Sequence, residues 1–103
     1  MTRIERITEM ERCLDASRAA VDRLAEAFEA YEAVQKDFAR LSDYYGSARW
    51  IRDFEADEAG KLPAGLKRGV LSEDAVYDLI TDNHELAVRM MRVITKALEN
   101  QAL

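Results

Sequence analysis

The stretch DEAGKLPAGLKRGVLSED, Asp57 to Asp74, decides how the chain is read, because it separates two long helical patterns and collects nearly all the residues that break helices. Three of the four glycines (Gly60, Gly65, Gly69) and the only proline (Pro63) lie within it. Its second half carries start signals for a helix. Ser72 is suited to an N-cap, and Leu71 before it and Val76 after it stand at the two positions of a hydrophobic staple. Pro63 restricts the loop, and Gly69 is expected to supply a positive-φ turn. The stretch therefore reads as an ordered junction.

C-terminal to the junction, Glu73, Asp74 and Asp78 occupy early turns, and Arg89, Arg92 and Lys96 occupy late ones. Both ends complement the helix dipole. The apolar face runs Val76, Leu79, Ile80, Asn83, Leu86, Ala87, Met90, Val93 or Ile94, Ala97 and Leu98. This predicts a helix over about 72–100. Asn83 is a polar residue at a seam position, where it can set register, with Gln35 as one possible partner.

N-terminal to the junction, Ile7, Leu14, Val21 and Phe28 recur every seven residues. Met10, Leu24, Tyr31 and Phe38 fill the complementary positions, with Ser17 as the polar exception. This is the a/d pattern of a helical seam. It predicts one continuous helix over about 3–45, roughly 60 Å long, closed by Gly46 as a left-handed C-terminal cap. Ser47 then caps a short helix over about 47–59, with Trp50, Ile51 and Phe54 on one face.

The fold expected is all-α, a single helical domain over 1–103: a long antiparallel hairpin with a short helix and an ordered loop at the junction. A hairpin buries one stripe per helix, and the first helix outreaches the last by several turns. Both points favour a homodimer formed through the heptad face of the first helix.

Composition narrows the function. The chain has 103 residues, 49% hydrophobic and 34% charged, with net charge −5. That is enough apolar residue for a core and too much for a disordered chain. Residues 46–71 alone are net basic, with five basic and four acidic groups. A nucleic-acid partner is disfavoured by the acidic helices. The single cysteine, Cys13, allows no internal disulfide. The N-terminus lacks a signal-peptide pattern and no apolar run approaches a membrane span, so a soluble cytoplasmic protein is expected.

No cofactor is expected. Gly60 and Gly65 have P-loop spacing, but Leu66 stands in place of the lysine, and Glu73 and Asp74 occupy the following helix start. His84 has no second ligand at helical spacing. Asp78, Asp82 and Glu85 share a face, read as solvated rather than as a cation site. No nucleophile, base and orienting group stand together, so the reading leans away from an enzyme.

The remaining signal is at the junction. Tyr44, Tyr45, Trp50 and Phe54, four of eight aromatic residues, fall within eleven positions, which suits a small core first, with a partner-binding patch as the alternative. The candidate surface is Tyr45, Trp50, Asp57, Glu58, Lys61, Lys67, Arg68, Glu73 and Asp74. It offers a protein partner a charged, aromatic-flanked loop held by rigid helices. The alternative is a small-molecule or anion site lined by Trp50, Lys61, Lys67 and Arg68.

The motifs YYGS (Tyr44–Ser47), Trp50, DFEADEAGKLP (Asp53–Pro63) and LKRGVLSEDAVYDLI (Leu66–Ile80) resemble the bacterial family catalogued as domain of unknown function 4298. The resemblance covers nearly the whole chain, and LKRGVLSED is its most specific part. It implies a small bacterial helical protein and supplies no catalytic residue.

Overall fold

The computed structural model describes residues 1–101. The protein is all-α, with helices α1 (Arg3–Ala33), α2 (Gln35–Tyr44), α3 (Ala48–Glu58) and α4 (Ala75–Asn100), and a 3-10 turn at Gly69–Leu71. No strand occurs among the described residues. The chain divides into two compact units, Met1–Phe38 and Ala39–Leu103.

The first unit is dominated by α1. Thr2 caps it, its hydroxyl oxygen accepting from Glu5 N–H at 3.1 Å. The residues of the seven-residue stripe lie on α1, which contains no buried residue.

The helix predicted to run without a break to residue 45 is interrupted at Val34, whose backbone lies at φ −99°, ψ 5°. The cause is local competition for one acceptor. The Tyr31 carbonyl takes Val34 N–H at 3.3 Å, an i→i−3 bond, and the Gln35 side-chain amide at 3.1 Å. A tightened turn and a side chain reaching into the ladder are standard sources of a helix break. The ladder resumes at once, with Phe38 N–H donating to Val34 O at 2.9 Å.

The second unit holds the core. Gly46 ends the α2 segment at φ 77°, as its capping role requires. Ser47 caps α3, its Oγ accepting from Trp50 N–H at 3.2 Å. At the far end of α3, Gly60 has φ 69°. Gly60 N–H donates to Asp57 O and Lys61 N–H to Ala56 O, both at 3.0 Å. These two bonds are the Schellman pair, which satisfies carbonyls the helix end would otherwise leave open.

The chain then turns at Pro63–Leu66, where Leu66 N–H donates to Pro63 O at 3.1 Å. It winds through the 3-10 turn, on which both α3 and α4 pack. Here the glycine expectation is corrected. Gly69 is not at positive φ; it opens the 3-10 turn, and the left-handed positions are Gly46 and Gly60.

Regular α4 begins at Ala75, two residues later than an N-cap at Ser72 suggested. Ser72 nevertheless has the extended backbone of a cap (φ −71°, ψ 147°), and its Oγ accepts from Ala75 N–H at 3.1 Å. The staple residues Leu71 and Val76 are the two buried hydrophobic side chains of the described protein, 6% and 3% exposed. The signal that starts the last helix also forms the centre of the core.

Candidate functional site

The junction from residue 44 to 74 is built around an aromatic stack. Trp50 and Phe54 are one helical turn apart on α3, and their rings lie 5.3 Å apart at 21°. Tyr45 meets Trp50 edge-on, also at 5.3 Å, with planes at 70°. Such pairs contribute about 0.5–1.5 kcal/mol beyond area burial.

The polar tips of this stack hold the loop. Trp50 Nε1–H donates to Val70 O at 2.9 Å, and Tyr45 Oη–H donates to Glu73 O at 2.9 Å. One cluster thereby fixes the backbone at both ends of the Leu71 turn. Beside it, Tyr44 Oη–H donates to Asp53 Oδ2 at 2.6 Å. That bond, helped by burial and the nearby charge, pushes the Tyr44 hydroxyl up to about 12.

Of the junction charges, the structure pairs one set. Arg68 Nη1 lies 2.8 Å from Asp57 Oδ1, with the side chains 36% and 26% exposed respectively. The bond links the last turn of α3 to the residue before the 3-10 turn. No other ion pair forms in the junction among the described residues. Glu58, Lys61, Lys67, Glu73 and Asp74 are exposed. Glu73 contributes through its carbonyl, and its side chain takes no part in that clamp.

The nine candidate residues therefore separate by role. Tyr45, Trp50, Asp57 and Arg68 hold the junction together. Lys61 and Lys67 are cations left over after folding is explained. The four groups of the alternative anion site are not equivalent: the Arg68 charge is matched by Asp57, and the indole of Trp50 is stacked and hydrogen-bonded.

Sequence reading missed an open apolar groove of about 460 Å³, lined by Leu41, Lys67, Gly69, Val70, Ala75, Val76 and Leu79. Lys67 is its charged member. The alternation of small and apolar residues around the staple is the signal that could have located it.

Elsewhere the chemistry is sparse. No group of three His, Cys, Asp or Glu side chains is disposed to hold a metal ion among the described residues. Cys13 is half-buried on α1, with Sγ 3.7 Å from Arg12 Nη2 and 4.0 Å from Glu9 Oε1. The Glu9 carboxylate holds Arg12 at 2.7 Å and raises the guanidinium above its usual range. No described helix is long and apolar enough to cross a membrane.

These features define an all-α protein with a clamped, aromatic-centred junction in its second unit. The family model for a domain of unknown function, DUF4298, matches residues 7–93, and the chain belongs to that family. The match includes the whole junction. No curated protein and no solved structure matches the chain.

Proposed function

We propose that this is a non-enzymatic interaction protein that pairs with a second copy of itself through α1 and presents the 44–74 junction to a protein partner. The observation that carries the reading is the state of α1. Its heptad stripe is open to solvent, with Ile7 54%, Leu14 60%, Val21 54%, Leu24 60% and Phe28 57% exposed. A contiguous apolar stripe of this kind marks an interaction surface. A strict seven-residue repeat drifts by about 20° per heptad on a straight helix, so it suits a partner helix that supercoils around it.

The junction supports the second half of the reading. Its clamps hold the loop, and Lys61 and Lys67 have no ion-pair partner among the described residues. Rigid elements that position charged loops are a common binding arrangement.

Sedimentation of the full chain tests self-association. The expected result is a dimer at micromolar concentration that Leu14→Glu with Leu24→Glu converts to a folded monomer. A wild-type monomer overturns it. Presentation is tested by replacing Lys61 and Lys67 with Ala. Helicity and unfolding midpoint should hold while recovery of a co-purifying protein falls, and unchanged recovery overturns this half.

A further inference from the structure

Resting on the self-association reading, we infer that the α1 pair is parallel and in register, each a and d residue facing its own counterpart in the second copy from Ile7 to Tyr31. The residues that flank the stripe, together with Ser17 within it, favour this orientation.

Along the seam from Ile7 to Tyr31, Ser17 is the only polar residue apart from the Tyr31 hydroxyl. In a parallel, in-register pair Ser17 meets Ser17, and two hydroxyls can satisfy each other instead of facing an apolar neighbour.

The flanking positions carry few charges. On one side stand Arg6, Cys13, Ala20 and Ala27; on the other stand Glu11, Arg18, Ala25 and Glu32. Arg18 is engaged within its own helix, its guanidinium 2.8 Å from Asp22. Arg6 and Glu11 have no ion-pair partner among the described residues. A parallel pair places each residue of the first side near the residue five positions on in the second helix, which is where interhelical ion pairs form. Arg6 then meets Glu11 of the second copy, twice by symmetry. The other flanks bring alanine to alanine, Cys13 to Arg18 and Ala27 to Glu32. No like charges meet.

The antiparallel registers are each worse. The one that keeps the full overlap, Ile7 against Tyr31, sets Ser17 against Val21 and brings the two Arg18 side chains together at the symmetry centre. Shifting by a heptad one way opposes Glu11 to Glu32 and Ser17 to Phe28. Shifting the other way pairs Glu11 with Arg18 but sets Phe28 against Arg3 and leaves Tyr31 beyond the overlap.

The test is a disulfide at Ser17 in the full chain. In a Cys13→Ser background, Ser17→Cys should oxidise to a covalent dimer, because facing d positions bring the two Cα atoms within the roughly 7 Å a disulfide spans. In the full-overlap antiparallel pair the same positions are offset by four residues, about 6 Å along the axis in addition to the separation of the helices. Two chains, one Ser17→Cys and one Val21→Cys, should form only like-with-like links when mixed before oxidation. Arg6→Glu alone should weaken dimerisation about fivefold, and Arg6→Glu with Glu11→Arg should restore it. A sedimenting dimer that forms no link at Ser17, or that links Ser17→Cys to Val21→Cys, overturns the orientation and leaves self-association standing. A wild-type monomer overturns both.

Discussion

Trp50 donates its indole N–H to the carbonyl of Val70 across 2.9 Å, which ties the first turns of α3 to a backbone group twenty residues further on. The same ring packs on Tyr45 and Phe54. One side chain thus joins the aromatic stack to the 3-10 turn that carries Leu71. Trp50→Phe keeps much of the stack and deletes the donor. It should lower stability by about 1 kcal/mol. Trp50→Ala removes the stack as well and should cost about 3 kcal/mol. Urea unfolding followed by far-ultraviolet circular dichroism checks both; equal losses would show that the stack adds nothing beyond the hydrogen bond, and no loss in Trp50→Phe would show that the hydrogen bond contributes nothing separable.

The Arg68–Asp57 pair is half-withdrawn from solvent, 2.8 Å between Nη1 and Oδ1. It closes the loop that Pro63 and Gly60 turn. A double-mutant cycle with Arg68→Ala and Asp57→Ala should give a coupling energy of roughly 0.5–1 kcal/mol. Lys61→Ala and Lys67→Ala, by contrast, should stay within about 0.5 kcal/mol of wild type, as exposed charges without partners do. A large loss at Lys67 would mean that its stem supports the groove beside Val76.

What was legible in the sequence follows from the range of each interaction. Caps and staples act over three to five residues, so Ser47, Gly46 and the pair Leu71 and Val76 could be read directly from spacing. The all-α class followed from periodicity in the same way. The break at Val34 was hidden because it comes from the Gln35 amide reaching the Tyr31 carbonyl, a rotamer choice that propensity does not encode. Gly69 was misplaced because a loop glycine signals permissiveness without saying which torsion is used. At the site, residue types identified the charged loop, but only geometry could separate Arg68, which folds the junction, from Lys61 and Lys67, which do not.

The glycines give a contrast within one loop. Gly60 sits at φ 69° and closes α3 through the Schellman bonds, whereas a Cβ on Gly69 meets nothing within 4 Å and its φ is not positive. Gly60→Ala forces an L side chain into the left-handed region and should cost about 1 kcal/mol despite the open space around it. Gly69→Ala should stabilise the protein by about 0.5 kcal/mol, because it removes freedom from the unfolded chain at no native strain. Thermal melts of the two variants should therefore move in opposite directions from wild type.

Tyr44 supplies a pH-dependent test of the junction. Its hydroxyl donates to Asp53 at 2.6 Å, a bond that exists only while the phenol keeps its proton. The folded-state value is pushed up to about 12 from the ordinary 10.0, first by that hydrogen bond and then by burial and the Asp53 charge. A raised folded value means the folded state holds the proton more tightly than the unfolded chain does. The stabilisation is therefore fully present below pH 10.0, declines above it, and is gone once pH has risen through about 12. In a titration of phenolate absorbance the Tyr44 transition should be held back above the ordinary 10.0. Asp53→Asn leaves an acceptor in place but removes the carboxylate charge, so the Tyr44 transition should move down toward 10.0. The variant should also lose the extra fall in stability between those two pH values, and an unshifted transition would mean that Asp53 does not set the proton affinity of Tyr44.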